Sequence, residues 1–460
     1  MKRRLTCMGT ALSLSVGLVG NVKADQLSDL QAQVKALTES INALQKRQEQ
    51  YDAKQSVVEN KQSVVESKPA VVPANVVTSG VMPNSILITG TNTSLKIGGY
   101  AQVSVIDDFK GSLGNSQTVL LPYSPTYGGI PYNGTAAANR NGQIQFEARE
   151  SRLNFETRTP TAYGELRTLV EGDFYGAGGS KATTNSVSLR LRLAMAEIGP
   201  WLAGQYWSNF GDLYQGPEVF DFGGPVGLPA INRQPQIRYT QKIGKNWQLS
   251  ASIEQPVQDF VGADTVLFTA GLNNISTNSV DELPELTGRL TYGDTWGRQS
   301  VGAVVRKLKA SDGAALDSSL TGYALNYQGQ FNTFGKDKVY YDLVYENGAG
   351  RYLTQTPSSA ALYKGQLYAI SGRGANLTYQ HWWAENWRSN ISAGLIKLSN
   401  PHPATPLTQF DEVRSLHANI LWSPIPKALV GLEYTYAKIK NEASQEGSGQ
   451  RLNLTTQFGF

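Results

Sequence analysis

Two hydrophobic periods divide the chain. From residue 27 the apolar positions are Leu27, Leu30, Val34, Leu37, Ile41 and Leu44, alternating steps of three and four as in a coiled-coil seam. Gln48, Gln55 and Gln62 then hold one core position, and Tyr51, Val58 and Val65 hold the other. The segment from Lys54 to Asn60 is nearly copied by Lys61 to Ser67, an insertion of one whole repeat that keeps the register. Pro69 and Pro73 stop the helix. The pattern predicts a helical coiled coil over 25–68, followed by an extended linker over 69–93. Leu and β-branched residues favour a dimer, while the three core glutamines weaken that preference and leave a trimer open.

At residue 94 the period changes to two. Leu95, Ile97, Ala101, Val103 and Val105 lie on one face, with Lys96, Tyr100, Gln102 and Ser104 on the other. Similar segments recur near 143–159, 163–174, 187–198, 201–207, 236–242, 247–255 and 285–293. The series continues near 299–307, 322–331, 339–346, 374–381, 387–398, 412–422, 428–440 and 451–460. That is sixteen segments over 94–460, joined by connections that alternate between long and short. An even count with all long connections at one end predicts an all-β transmembrane barrel of antiparallel strands, apolar towards lipid and polar towards a lumen. The tryptophans cluster near segment ends, as girdles at the two membrane interfaces would. The last segment places Leu452, Leu454, Phe458 and Phe460 on one face.

Composition agrees with a wet-centred barrel. Only 40% of residues are hydrophobic, with 46 glycines and 22 tyrosines, and a barrel needs apolar side chains only at alternate positions. Lys2, Arg3 and Arg4 precede an apolar run from Leu5 to Val19, and Val22-Lys23-Ala24 offers small residues for cleavage, so 1–24 reads as a secretory signal. That segment holds four of the 41 basic residues and none of the 37 acidic ones, so the two signs balance over the rest. Net charge gives no support to a nucleic-acid partner. The single cysteine, Cys7, lies in the signal, so the remaining chain has no thiol chemistry.

Selectivity would come from the polar faces. By strand parity Arg149, Arg152, Arg158, Arg167, Arg190, Arg192, Arg238, Arg289 and Arg388 face the lumen, and a phase change near Glu150-Ser151 points to a bulge. Rings of arginine favour anions, since the guanidinium fork matches carboxylate and phosphate oxygens. The opposing reading is a neutral network, because Glu147, Glu156, Glu165, Glu171 and Asp173 share those faces. Arg190 and Arg192 stand out, as their own strand has no carboxylate between them. The loop from Ser208 to Pro235 is placed to fold inward as a constriction, bringing Asp212, Glu218, Asp221 and Arg233; the plainer reading is an ordinary outer loop. The three histidines, His381, His402 and His417, make no catalytic or metal arrangement, and no cofactor motif is present, so no enzyme activity is expected.

Five segments carry a family resemblance: Ser94 to Tyr100 (SLKIGGY), Ser151 to Pro160 (SRLNFETRTP), Glu171 to Phe174 (EGDF), Ala203 to Ser208 (AGQYWS) and Arg233 to Arg238 (RQPQIR). As a set they resemble the DcaP-like porins. The resemblance implies a homotrimer of 16-stranded barrels in the bacterial outer membrane, with a periplasmic coiled coil and uptake of small anionic solutes such as dicarboxylates. It places Arg152, Arg158 and Arg238 at motif positions facing the lumen, and the duplicated heptad and divergent outer loops depart from the pattern. Two other functions share the architecture: a phosphate-type anion porin, and a barrel anchor whose stalk reaches towards peptidoglycan or another periplasmic partner.

Overall fold

The computed structural model describes residues 79–460 except 112, 114–128, 177–183, 186, 214–215, 231, 263–277 and 357, together with seven residues between 35 and 47. Contacts divide the chain into two units, 1–76 and 77–460. In the first unit Lys35, Ala36, Glu39, Asn42, Ala43, Lys46 and Arg47 are helical and exposed. The signal peptide, the seam of the coiled coil and the start of the linker lie outside the described residues.

The second unit is a closed antiparallel barrel of sixteen strands. They are β1 (Ser94–Lys110), β2 (Gln143–Glu147 and Arg152–Thr161), β3 (Gly164–Asp173), β4 (Arg190–Ile198), β5 (Trp201–Trp207), β6 (Arg233–Ile243), β7 (Trp247–Glu254) and β8 (Glu285–Asp294). The circuit continues through β9 (Gly297–Ser311), β10 (Asp317–Asn332), β11 (Lys338–Asn347), β12 (Ser371–Ala384), β13 (Trp387–Ser399), β14 (Phe410–Trp422), β15 (Ala428–Asn441) and β16 (Glu446–Gly459). Each strand pairs with its neighbours in sequence. β1 closes the circuit by pairing with β2 (Ser94↔Arg158) and β16 (Tyr100↔Gly459). β2 is interrupted at Ala148–Ser151, where the sequence changes phase, and a backbone turn from Ser151 N–H to Ala148 C=O (3.1 Å) fills the gap.

Polarity is inverted relative to a water-soluble core. On β10 the side chains of Tyr323, Leu325 and Tyr327 are exposed on the outer face, while Asn326 and Gln328 are buried on the inner one. The same alternation runs through β8, β11, β13 and β16, the pattern expected when lipid solvates the outside and water or polar loops fill the inside.

Two expectations are corrected. The connections do not alternate strictly, because β9 and β10 extend into a hairpin that pairs Ser311 with Asp317, and β15 and β16 pair Lys440 with Glu446. Their extensions run past the alternating segments. The tryptophans form one girdle instead of two: Trp201, Trp247, Trp296, Trp383, Trp387 and Trp422 are exposed at the short-turn end, where Trp387 stacks on Trp422 at 5.6 Å. Trp207 and Trp382 instead lie against arginines. In the described part of the linker Ile86–Leu87 is an extended pair of residues that lies antiparallel to Leu95 and Ser94 at the start of β1.

Candidate functional site

The connection from β5 to β6 folds into the barrel. Its backbone runs across the inner faces of β9 to β16, donating and accepting hydrogen bonds at nearly every step. Phe210 C=O accepts from Asn326 (2.6 Å), Asp212 N–H donates to Gln328 (2.7 Å), and Glu218 C=O accepts from Asn419 (2.7 Å). The N–H groups of Phe220 and Asp221 both donate to Glu433 (2.9 and 3.0 Å), and Val226 N–H donates to Ser415 (3.1 Å). The wall makes room with glycine. A Cβ on Gly302 or Gly394 would lie 2.1 or 2.0 Å from the loop carbonyls of Phe210 and Val226, so only a residue without a side chain fits there.

Beside that loop the long-loop half of the lumen is packed. Phe210 and Val226 join Val304 of β9, Ala324 of β10, Val344 of β11 and Ile396 of β13 in one apolar core. Residues 349–353 of the β11–β12 connection cap it from the long-loop side, with Tyr352 wholly buried and its ring 5.1 Å from Phe210. Burial of this size offsets the ordering of a long loop inside the barrel. It also fills the long-loop half of the lumen on the side of β9 to β15.

That wall carries the arginines. Arg149, Arg152, Arg158, Arg167 and Arg190 keep between a fifth and two fifths of their side chains exposed. Arg152 and Arg158 are six positions apart on β2, or roughly 20 Å along a strand, so the series runs down the wall from the long-loop end to the short-turn end. The upper members stand on aromatic faces: Arg149 and Arg190 over Tyr175 (5.0 and 5.2 Å), Arg152 over Tyr100 (5.2 Å), and Arg192 and Arg233 over Trp207 (5.5 and 5.0 Å). Phe222 of the inward loop meets Tyr175 at 4.6 Å and Arg190 at 5.6 Å, so the loop forms the other side of this cluster.

Carboxylates accompany most of them. Arg190 and Arg192 have no carboxylate between them on their own strand, but β3 supplies two: Asp173 takes Nε and Nη2 of Arg190 (2.9 and 2.8 Å) and Nη1 of Arg192 (2.9 Å), and Glu171 takes Nε of Arg192 (2.7 Å). Arg149 pairs with Glu147, Arg158 with Glu156 and Glu165, and Arg167 with Glu156 and Glu197. Arg233 is the first residue of β6 instead of a loop residue, and makes no ion pair with a described carboxylate. Arg238 and Arg289 also lack one, and serve the loop by donating to the carbonyls of Trp207 and Gly211.

The loop acids divide. Asp212 pairs with Arg298 at the base of β9 (2.6 Å), and Glu218 pairs with Arg388 of β13 (2.6 Å), so acids of the loop do face basic residues of the wall. Asp221 instead is buried, its carboxylate accepting from Gly223 N–H (3.1 Å). Reading by parity passed over Arg298, which lies just outside the alternating segment, and Glu433, one inward position among many. The aromatic platforms Tyr175, Trp207 and Phe222 lie in strand ends and loops, where parity says nothing.

The three histidines are each held by neighbouring groups. His417 contacts Glu433 and Thr435 (3.4 and 3.3 Å), but all three are wholly buried behind the loop anchor. His381 is held by Asp337 (2.7 Å) and His402 by the Thr405 carbonyl (2.9 Å). Among the described residues no cluster of His, Cys, Asp and Glu is suited to a metal ion.

Comparison with known proteins gives a family match over nearly the whole sequence: the family described as DcaP outer membrane protein covers residues 22–460. The outer membrane channel DcaP of Acinetobacter baumannii has a similar structure, with 20% identity and a TM-score of 0.68 over 83% of this chain and 100% of that one. OmpT, an outer membrane protein of Vibrio cholerae, gives 9% identity and a TM-score of 0.49 over 80% of this chain and 98% of its own. An anion-selective porin from Comamonas acidovorans gives 11% and 0.48 over 80% and 100%. No curated protein matches the sequence.

Proposed function

Because the chain belongs to the DcaP outer membrane protein family, we propose that this outer-membrane porin passes small anionic organic solutes, dicarboxylates among them, along the arginine wall of β2 to β4. The observation that carries this reading is the asymmetry of the lumen. Apolar core and loop fill the long-loop half of the side of β9 to β15, while the side of β2 to β4 presents the partly exposed guanidiniums of Arg149, Arg152, Arg158, Arg167 and Arg190. A solute threading that space meets a row of forked donors, each already holding an acid. The solute's carboxylates compete for donor sites not used by those acids, so binding at each step stays weak enough for release.

The aromatic faces add to this. A guanidinium stacked on a ring keeps its edge N–H groups free and loses less entropy when it binds. Of the exposed row, Arg152 holds its acid at the longest distance, 3.7 Å from Nε to Glu171, so its fork is the one most open to a competing oxyanion. The loop acids Asp212 and Glu218 are each neutralised in a contact pair, with Arg298 and Arg388 at 2.6 Å, which leaves the arginine wall as the charged face of the passage. A homotrimer is the assembly this reading expects, with the segment 25–68 as a periplasmic coiled-coil stalk. That stalk is also the one feature that favours a structural role in the cell envelope.

The test is the reversal potential of the purified protein in a planar bilayer under a potassium chloride gradient, repeated with succinate replacing chloride. Anion preference, and a reduction of it in Arg152→Gln, fits the reading. Cation preference in the wild-type channel overturns it.

A further inference from the structure

Below the inward loop, at the short-turn end, the lumen opens into two adjoining recesses of about 750 and 550 Å³. Arg298, Gln330 and Lys338 line both, so the space is continuous from loop residues Leu213 and Pro217 to Trp382 at the rim.

The cations around this space are settled in pairs, with one remainder. Arg298 is held by Asp212, Arg388 by Glu218, and Lys336 by Glu385, each at 2.6 Å. Asp294 lines the far side and accepts from Asn246, Tyr292 and Thr295 N–H (3.0, 3.0 and 2.7 Å). Lys338 makes no ion pair with a described residue. It is the first residue of β11 and has the same inward parity as the buried Tyr340 and Asp342, with Gln380 opposite it in register.

We propose that Lys338, with Arg298 and Gln330 beside it, is a second binding step for the permeating anion, taking one carboxylate of the solute in the short-turn vestibule after it leaves the arginine wall. The inference rests on the anion-porin reading and adds a site to it. Chemistry favours lysine here. Its ammonium is a compact, strongly hydrated charge on a flexible stem, which holds a carboxylate less tightly than an arginine fork and gives it up to water more readily. Conduction through successive sites needs such a last step, strong enough to draw the ion past the loop and weak enough to release it.

The experiment measures block of chloride current by succinate added to one side of a single channel. The sides are identified by a membrane-impermeant thiol reagent acting on Phe334→Cys, placed at an exposed short turn of a mature chain without other cysteines. In the Lys338→Gln channel, block from the short-turn side weakens about tenfold, block from the long-loop side is unchanged, and Lys338→Arg restores or strengthens the first. Unchanged short-turn block in Lys338→Gln, with anion preference intact, overturns the vestibule site alone, as does an equal loss from both sides. Absence of anion preference in the wild-type channel overturns the underlying reading instead. Folding of each variant is read from its heat-modifiable migration, and Lys338→Arg reports on the site even if the neutral variant assembles poorly.

Discussion

Glu218 of the inward loop and Arg388 of β13 meet in a two-bonded ion pair, Nε to Oε2 and Nη2 to Oε1 both at 2.6 Å. Glu218 is partly exposed, so the pair is worth little to stability and more to the local field. Its removal in Glu218→Gln frees the Arg388 charge towards the lumen. The expected result is a roughly twofold higher anion-to-cation permeability ratio, about 0.5 kcal/mol on the scale of such a charge, read from the reversal potential. Loop position should hold, since Glu433 still accepts the N–H groups of Phe220 and Asp221. By contrast Glu433→Ala leaves those donors and His417 without their buried acceptor, at a cost of about 3 kcal/mol or more. Its channels should show frequent conductance steps absent from Glu218→Gln, and equally quiet traces would contradict the anchoring role.

The barrel was legible because lipid imposes a period of two, and every strand that touches it carries that signature. Legibility ended where lipid does. Leu308 and Ala310 lie on the inner face of β9 but are apolar, because they pack on Phe260, Ala360 and Leu367 of a small three-stranded sheet built by the outer loops. The reversed polarity there hides the hairpin extension of β9 and β10. The arginines were found by parity, yet their partners depend on register: Asp173 stands opposite Arg190 across β3 and β4, and nothing local in either strand announces it. The inward loop could be suspected from its place after β5. Its anchors could not, since Phe220 and Glu433 are 213 residues apart.

Gly394 tests how closely the loop is fitted to the wall. A Cβ there would stand 2.0 Å from the Val226 carbonyl, a distance no contact tolerates. Gly394→Ala should therefore push the loop away from β13, costing about 1–3 kcal/mol as overpacking does. Thermal unfolding in detergent measures the loss, and single-channel conductance should change with it. A variant with wild-type melting and conductance would mean that the loop has room to yield.

Asp337, in the turn between β10 and β11, gives a pH dependence. Burial pushes its carboxyl up, but hydrogen bonds from Tyr379, the Trp382 N–H and His381 outweigh that and bring it down to about 2. A depressed carboxyl stabilises the folded state above the unfolded value near 4 and loses that contribution as pH falls towards 2. Wild-type protein should thus lose more thermal stability between pH 5 and pH 2 than Asp337→Asn, which cannot ionise. Parallel curves for the two proteins would remove Asp337 from the acid response.

Asp173 decides how much positive charge the upper wall shows to a solute. Its side chain is wholly buried and accepts three guanidinium hydrogen bonds from Arg190 and Arg192, together with the N–H of Tyr175 (3.1 Å). Asp173→Asn keeps the shape and removes the charge. Stability should fall by about 3–5 kcal/mol, since two arginines lose a buried partner. Selectivity should move the other way, because Arg190 then faces the lumen uncompensated while Arg192 keeps Glu171. Succinate block should tighten in this variant, provided that its melting curve still shows a single folded species at the recording temperature. If block is unchanged while stability falls, the upper arginines are bracing for the barrel, and the selective contacts lie lower on the wall at Arg158 and Arg167.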